Sequence, residues 1–319
     1  MILKLSRIPT RQDVDTVHEG IRAMIHRTPV IRSQGINDLT GADIYFKCEN
    51  FQKVGAFKMR GASSAVSALS PEQRAKGIAT HSSGNHAQAA ALSARLFGTS
   101  AHIVMPENAP AIKRTAVESY GAKIYTSGSR VEDREKMIRS VLDETGATFI
   151  HPYNNYNIIA GQATAAKELL EDCESLQIIM APVGGGGLLS GTSLSSKYHD
   201  PQCVVLGAEP KLVDDAYRSF HSGKIEQNER IDTIADGLRT TLGDKTLEII
   251  RKYVDDILTV SEESIIGAMR LMWERMKIVV EPSGAVPLAA VLEQPEIFRS
   301  KKVGIIVSGG NVDLSQLPF

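Results

Sequence analysis

The sequence predicts an α/β protein of two lobes built on open, twisted, mainly parallel sheets. Three observations carry that prediction. From about Gly77 onward, short apolar runs of strand length alternate with longer segments of helical periodicity. A chain of 319 residues is enough for a large core divided between two lobes. Glycine- or serine-rich turns follow three of the runs, the place where open α/β sheets bind ligands.

Taken in order, Val14, Val17, Ile21, Met24 and Ile25 recur at helical spacing and predict an amphipathic first helix. ADIYFKCEN (42–50) then reads as a strand. The later strand-like runs are GIATHS, SAHIVMP, AKIYTS, ATFIHPY, LQIIMAPV, CVVLGAEP and VGIIVSGG. Between them, segments such as NHAQAAALSARLFG, APAIKRTAVESYG and EDREKMIRSVLDETG read as helices.

Composition excludes several classes of function. A hydrophobic share of 42% and a charged share of 23% are ordinary for a soluble globular protein. The net charge of −1 argues against nucleic acid as a partner. No apolar run approaches the ~20 residues that cross a bilayer, so no membrane association is expected. The first residues, MILKLSRIPTRQD, lack the apolar core and cleavage site of an export signal, and a cytoplasmic location is expected. Cys48, Cys173 and Cys203 are too widely spaced for a disulfide framework or a zinc knuckle.

The three turns are HSSGNHAQ (81–88), VGGGGLLSG (183–191) and VSGGNVD (307–313). Four consecutive glycines, Gly184 to Gly187, let a backbone approach a ligand, and successive N–H groups at a helix start favour an anion. Leu188 and Leu189 stand where a P-loop needs Lys-Ser/Thr, and no register gives G-x-G-x-x-G. A terminal phosphate monoester therefore fits better than a pyrophosphate; the alternative is a turn that merely packs a helix on a sheet. SSGNH suits a carboxylate, although Ser82 or Ser83 would also serve as a helix cap. Lys58 stands among Gly55, Ala56, Phe57 and Met59, where desolvation lowers an amine's pKa and prepares it for a Schiff base. The alternative there is a surface lysine laying its stem on apolar neighbours. Together, a masked amine, a phosphate cup and a carboxylate turn describe a pocket for pyridoxal phosphate and an amino acid.

The motifs FKMRGA (57–62), HSSGNHAQA (81–89), GQATAAKEL (161–169), VGGGGLLSG (183–191), GAEP (207–210), ADG (235–237), EPSGA (281–285) and SGGNVD (308–313) occur in order along the chain. In this ordered set the chain resembles the fold-type II pyridoxal-phosphate enzymes (the tryptophan-synthase β-like architecture), in the branch of serine racemases and threonine/serine dehydratases. The resemblance implies a large cofactor-binding domain from residues 1–74 and 151–319 and a small mobile domain from 75–150. It implies that Lys58 bonds the cofactor beside Phe57, that Gly184, Gly185, Gly186, Gly187 and Leu188 hold the phosphate, that Asn85 meets the ring hydroxyl and that Ser308 meets the pyridine nitrogen. Ser82, Ser83, Asn85 and His86 are then the substrate-carboxylate contacts, and Arg134 aligns with a substrate-contacting arginine. Ser83 would face Lys58 across the cofactor and permit racemisation. Glu209, Asp215 and the carbonyl of Val213 would bind Mg²⁺, Mn²⁺ or Ca²⁺, an oxygen donor set suited to a hard cation. A homodimer is the family's expected assembly.

The function so implied is elimination of water and ammonia from, or racemisation of, serine, threonine or 3-hydroxyaspartate. A dedicated 3-hydroxyaspartate dehydratase is the alternative, which Arg134 and Arg239 would favour as clamps for a second carboxylate. A nucleotide-dependent oxidoreductase lacks its fingerprint here. A non-catalytic amino-acid sensor would have no use for Lys58, Ser83 and Ser308 together.

Overall fold

The computed structural model describes residues 3–82, 84–109 and 111–319. Ser83 lies outside the described residues. Among the described residues ten strands form two sheets. The larger takes β1 (Val30–Ile31), β2 (Asp43–Cys48), β7 (Ile178–Pro182), β8 (Val204–Pro210), β9 (Asp256–Val260) and β10 (Lys302–Val307) in the order β1-β2-β10-β7-β8-β9. Only β1 is antiparallel. The smaller sheet, β5-β4-β3-β6, is parallel throughout and consists of β3 (Ile78–His81), β4 (Ala101–Pro106), β5 (Lys123–Ser127) and β6 (Thr148–Phe149).

Central strands β7 and β10 are buried almost along their whole length, as the apolar runs QIIMAP and VGIIV require of strands covered on both faces. The Pro282–Glu293 helix packs Val286, Leu288, Ala289 and Val291 on one face of the large sheet, and Leu169, Leu188 and Leu189 cover the other. The first helix runs Arg11–Ile21, opened by a Thr10 capping box, and buries Val14, Val17 and Ile21. The small sheet has its own core around Ile78, Ile103, Met105 and Ile150. Among the described residues no helix is long and apolar enough to cross a membrane.

Two features that the local pattern does not announce position the site. The first is a buried ionic cluster behind the Lys58–Ser67 helix. Arg60 donates from Nε to Glu49 Oε2 at 2.7 Å and from Nη2 to Glu168 Oε2 at 2.7 Å. Lys47 reaches Glu168 at 2.7 Å and the Thr28 carbonyl at 2.7 Å, and His18 lies 3.0 Å from Glu168. Two cations thus face two carboxylates, so the charges balance in the interior. Burial alone would lower the Arg60 pKa, but Glu49 and Glu168 outweigh it and hold it above its usual value. Burial would raise that of Glu168, but the bonds from His18 and Arg60 hold it well below the usual range. The second feature is Val54, a β-branched residue at φ 57°. The Asn311 amide donates to the Val54 carbonyl at 2.7 Å and pins this unfavourable turn four residues before Lys58.

Candidate active site

The carboxyl ends of β3, β7 and β10 deliver the three turns to one cleft between the sheets. The segment leading to Lys58 is zipped to the turn after β10: Phe57 N donates to the Ser308 carbonyl at 3.0 Å, and Gly310 N to the Gly55 carbonyl at 2.9 Å. Lys58 opens its helix, and its Nζ donates to the Pro152 carbonyl at 3.1 Å while lying 5.1 Å from the centre of the Phe57 ring. Burial lowers its pKa from 10.5 to about 8, with Glu281 pulling the other way. The amine is therefore partly buried and gives up its proton more readily than that of an exposed lysine.

Pro152 also links Lys58 to the glycine turn, because the next residue lies on it. A Cβ on Gly185 would stand 2.3 Å from Tyr153 Cδ1, and one on Gly187 would stand 3.0 Å from Tyr153 Cβ. Gly186 adopts φ 82°, and a Cβ there would meet Leu242 at 2.7 Å. A Cβ on Gly184 would stand 2.8 Å from Leu238 Cα. The turn is thus walled by Tyr153 and the 238–242 segment and opens the Gly187–His199 helix, in which Leu188 is buried. Its first-turn N–H groups have no intrahelical acceptors, the electrostatics a phosphate requires.

On the opposite side, Ser82 Oγ accepts from Gly84 N at 3.3 Å and so orders the turn rather than capping the Asn85–Leu96 helix. His86 is buried, with neither ring nitrogen bonded among the described residues. Burial first, and then the charge of Lys58, hold its pKa well below 6.5. An unpartnered, neutral imidazole in this cleft is a site for a polar ligand. Arg134, in the Val131–Thr145 helix, leaves its buried Nε without a hydrogen bond among the described residues. Burial and then its charge depress His81, at the end of β3. Arg239 differs, because its guanidinium donates twice to the Thr233 carbonyl, at 2.6 and 3.2 Å, and fastens its own loop. Ser308 is buried at the end of β10.

Glu281 is the site residue that reading the sequence missed. It is buried, and it accepts from the Asn85 amide at 3.0 and 3.2 Å and from Asn311 N at 3.2 Å. Burial, then Asp236, raise its pKa to about 7. The signal available was an acid directly before the Pro282–Glu293 helix, a placement that normally reads as a charge on a helix start. Across the cleft mouth, Lys113 of the small sheet's Ala111–Ser119 helix meets Asp236 at 2.6 Å.

The acidic turn stands at the end of β8. Glu209 accepts from Ala216 N and Tyr217 N at 3.0 and 2.9 Å. Asp215 accepts from Asn228 through one oxygen, and its other, Oδ2, is buried without a partner. Val213 is buried in the intervening Lys211–Val213 turn. Burial raises Asp215 to about 6, and burial together with the Asp215 charge raises Glu209 well above the usual range. Among the described residues no third acid, histidine or cysteine joins them. Two buried carboxylates and an orphaned oxygen nevertheless fit a hard cation completed by main chain and water.

The family model for "Pyridoxal-phosphate dependent enzyme" matches residues 21–309. A beta-hydroxyaspartate dehydratase of Paracoccus denitrificans is 48% identical over 98% of this chain and 99% of its own. The L-threo-3-hydroxyaspartate ammonia-lyase of Saccharomyces cerevisiae is 49% identical over 97% of this chain and 95% of its own. The crystal structure of serine racemase from Dictyostelium discoideum, 46% identical, superposes with a TM-score of 0.92 over 96% of this chain and 99% of that one.

Proposed function

The chain belongs to the pyridoxal-phosphate dependent enzymes, and on that footing we propose that its residues eliminate water and ammonia from, and/or racemise, a small 3-hydroxy amino acid. The substrate class is serine, threonine or 3-hydroxyaspartate. Lys58 would hold the cofactor through its amine, with Phe57 beside the ring. Gly184 to Gly187 and Leu188 would receive the phosphate, Asn85 the ring hydroxyl and Ser308 the ring nitrogen. When bound, pyridoxal phosphate supplies the electron withdrawal that makes the α-proton acidic. Lys58 would take that proton from one face as general base. The 3-hydroxyl would leave as water by taking up the proton that Lys58 removed, and the resulting enamine would hydrolyse to a 2-oxo acid and ammonia. Return of a proton from Ser83 to the other face gives the enantiomer instead; Ser83 enters on the resemblance alone. Ser82, Asn85 and His86 would take the α-carboxylate, and Arg134 would lie towards the substrate.

The lobe of residues 75–150 would close on the large one, excluding water, with Lys113 and Asp236 meeting at the rim. Glu209, Asp215 and the Val213 carbonyl would hold Mg²⁺, Mn²⁺ or Ca²⁺, and the family resemblance supports a homodimer. The observation that carries the reading is the partly buried Lys58 amine, held by Pro152 one residue from the ring that covers the glycine turn. Borohydride reduction of the holoenzyme followed by peptide mapping tests it, together with assays on serine, threonine and the four isomers of 3-hydroxyaspartate. A label on Lys58 and 2-oxo acid or enantiomer from one of these substrates is the expected result. A label elsewhere, or turnover by Lys58→Ala, would refute it.

A further inference from the structure

Glu281 is a buried acid without a cation in hydrogen-bonding contact among the described residues, an arrangement that costs stability unless the site requires it. Its partners are amides. One N–H of the Asn85 side chain is shared between the two Glu281 oxygens, at 3.0 and 3.2 Å, and Asn311 N donates to Oε2 at 3.2 Å. The Asn311 side-chain amide is also committed, giving one N–H to the Val54 carbonyl at 2.7 Å and the other to Asn85 Oδ1 at 2.9 Å. With its oxygen on Asn311 and its nitrogen on Glu281, Asn85 is held in one of its two amide orientations. Gly309 makes room for this arrangement, since a Cβ there would lie 2.6 Å from Glu281 Oε1.

We propose that Glu281 is a positioning residue: with Asn311 it locks the Asn85 amide so that a remaining N–H points to the cofactor's ring oxygen. This rests on the reading of Lys58 and Asn85 given above. Orientation follows from hydrogen-bond valence. An Asn85 freed of Glu281 is able to turn its carbonyl towards the ring oxygen, replacing a donor with a repulsive acceptor. Glu281 also acts on the Lys58 amine through its charge, favouring the ammonium. Asp236 disfavours ionisation of Glu281 and Lys113 favours it, while the charge of Lys58 disfavours protonation of His86 and His151.

The test uses the full-length protein stripped of cofactor and titrated with pyridoxal phosphate, read by visible absorbance across pH. Glu281→Gln removes the charge and offers Asn85 an amide in its place. It is expected to move the pH midpoint of Lys58 reaction with pyridoxal phosphate down by roughly half a unit or more. The same variant should weaken cofactor retention about tenfold and shift the absorbance maximum, and Glu281→Asp should restore part of both. An unchanged midpoint and spectrum in Glu281→Gln would overturn the proposal. If that variant does not fold, Asn311→Ser probes the other arm: cofactor retention should fall while the Lys58 midpoint stays, and wild-type retention would overturn it equally. Absence of the borohydride label from Lys58 in the wild type is a separate result, and sinks the functional reading itself.

Discussion

Replacing Gly185 by alanine is the most direct probe of the glycine turn. The new methyl carbon would lie 2.3, 2.4 and 2.5 Å from Cδ1, Cγ and Cε1 of Tyr153. Carbon atoms prefer separations of about 3.5–4.0 Å, so the ring must retreat by more than ~1 Å. Its retreat is obstructed, because the His151 ring stands edge-on to Tyr153 at 4.6 Å between centres. Overpacking of this kind costs about 1–3 kcal/mol. If the turn adopts its present form to hold a phosphate, that cost falls on the bound state and weakens pyridoxal phosphate binding by roughly 5- to 150-fold. Equilibrium titration of the cofactor-free variant, followed by absorbance, measures it. Gly267→Ala is the control: that glycine is exposed within the Glu262–Met276 helix with nothing near its would-be Cβ. It should raise the melting temperature slightly and leave binding alone. Wild-type affinity in Gly185→Ala would refute the argument that close approach at this turn serves the ligand.

Further outcomes follow from the same site, the one for Ser83 resting on the family resemblance. Cofactor-free protein should react with pyridoxal phosphate faster as pH rises through about 8, because the neutral Lys58 amine is the reactive form; a rate flat from pH 6 to ~10 would contradict the lowered pKa. Linkage has a matching sign: between about 8 and 10.5 the folded chain holds fewer protons at Lys58 than the unfolded chain, so this residue's contribution to stability improves with rising pH. Ser83→Ala should suppress racemisation and elimination from the D-enantiomer while sparing elimination from the L-enantiomer, as chiral chromatography and a coupled 2-oxo acid assay will report. EDTA should lower the melting temperature, with Mg²⁺, Mn²⁺ or Ca²⁺ restoring it, since two buried carboxylates would then face each other unscreened. Glu168→Gln should cost about 3–5 kcal/mol, visible as a lower urea midpoint, because it strips Lys47 and Arg60 of their shared counter-charge.

The parallel architecture was readable because strand and helix periodicities alternate, and β7, β8 and β10 fall on the runs QIIMAP, VVLGAEP and VGIIV. β1 and β9 were not, since one has two residues and the other is an edge strand of mixed burial. The ligand turns and Lys58 announced themselves through local composition. Glu281 and the Arg60 cluster did not, because their meaning lies in partners far along the chain. Glu281 is 196 residues from Asn85, and Arg60 is 108 from Glu168. Neither end carries a mark that distinguishes it from an ordinary surface charge. Arg239 shows the converse: beside the ADG motif it reads as a substrate clamp, yet a carbonyl six residues back absorbs it.

The bridge between Lys113 and Asp236 is half-exposed on both partners, and a pair in such surroundings contributes about 0–1 kcal/mol. If the 75–150 lobe closes as proposed, a catch of this strength changes the ratio of shut to ajar by only about fivefold. Being wet, it is also sensitive to dissolved electrolyte, whose ions shorten its reach to within a Debye length of about 8 Å at physiological strength. Salt therefore acts on the door and not on the furniture: raising it should increase KM while the colour of the bound cofactor stays constant.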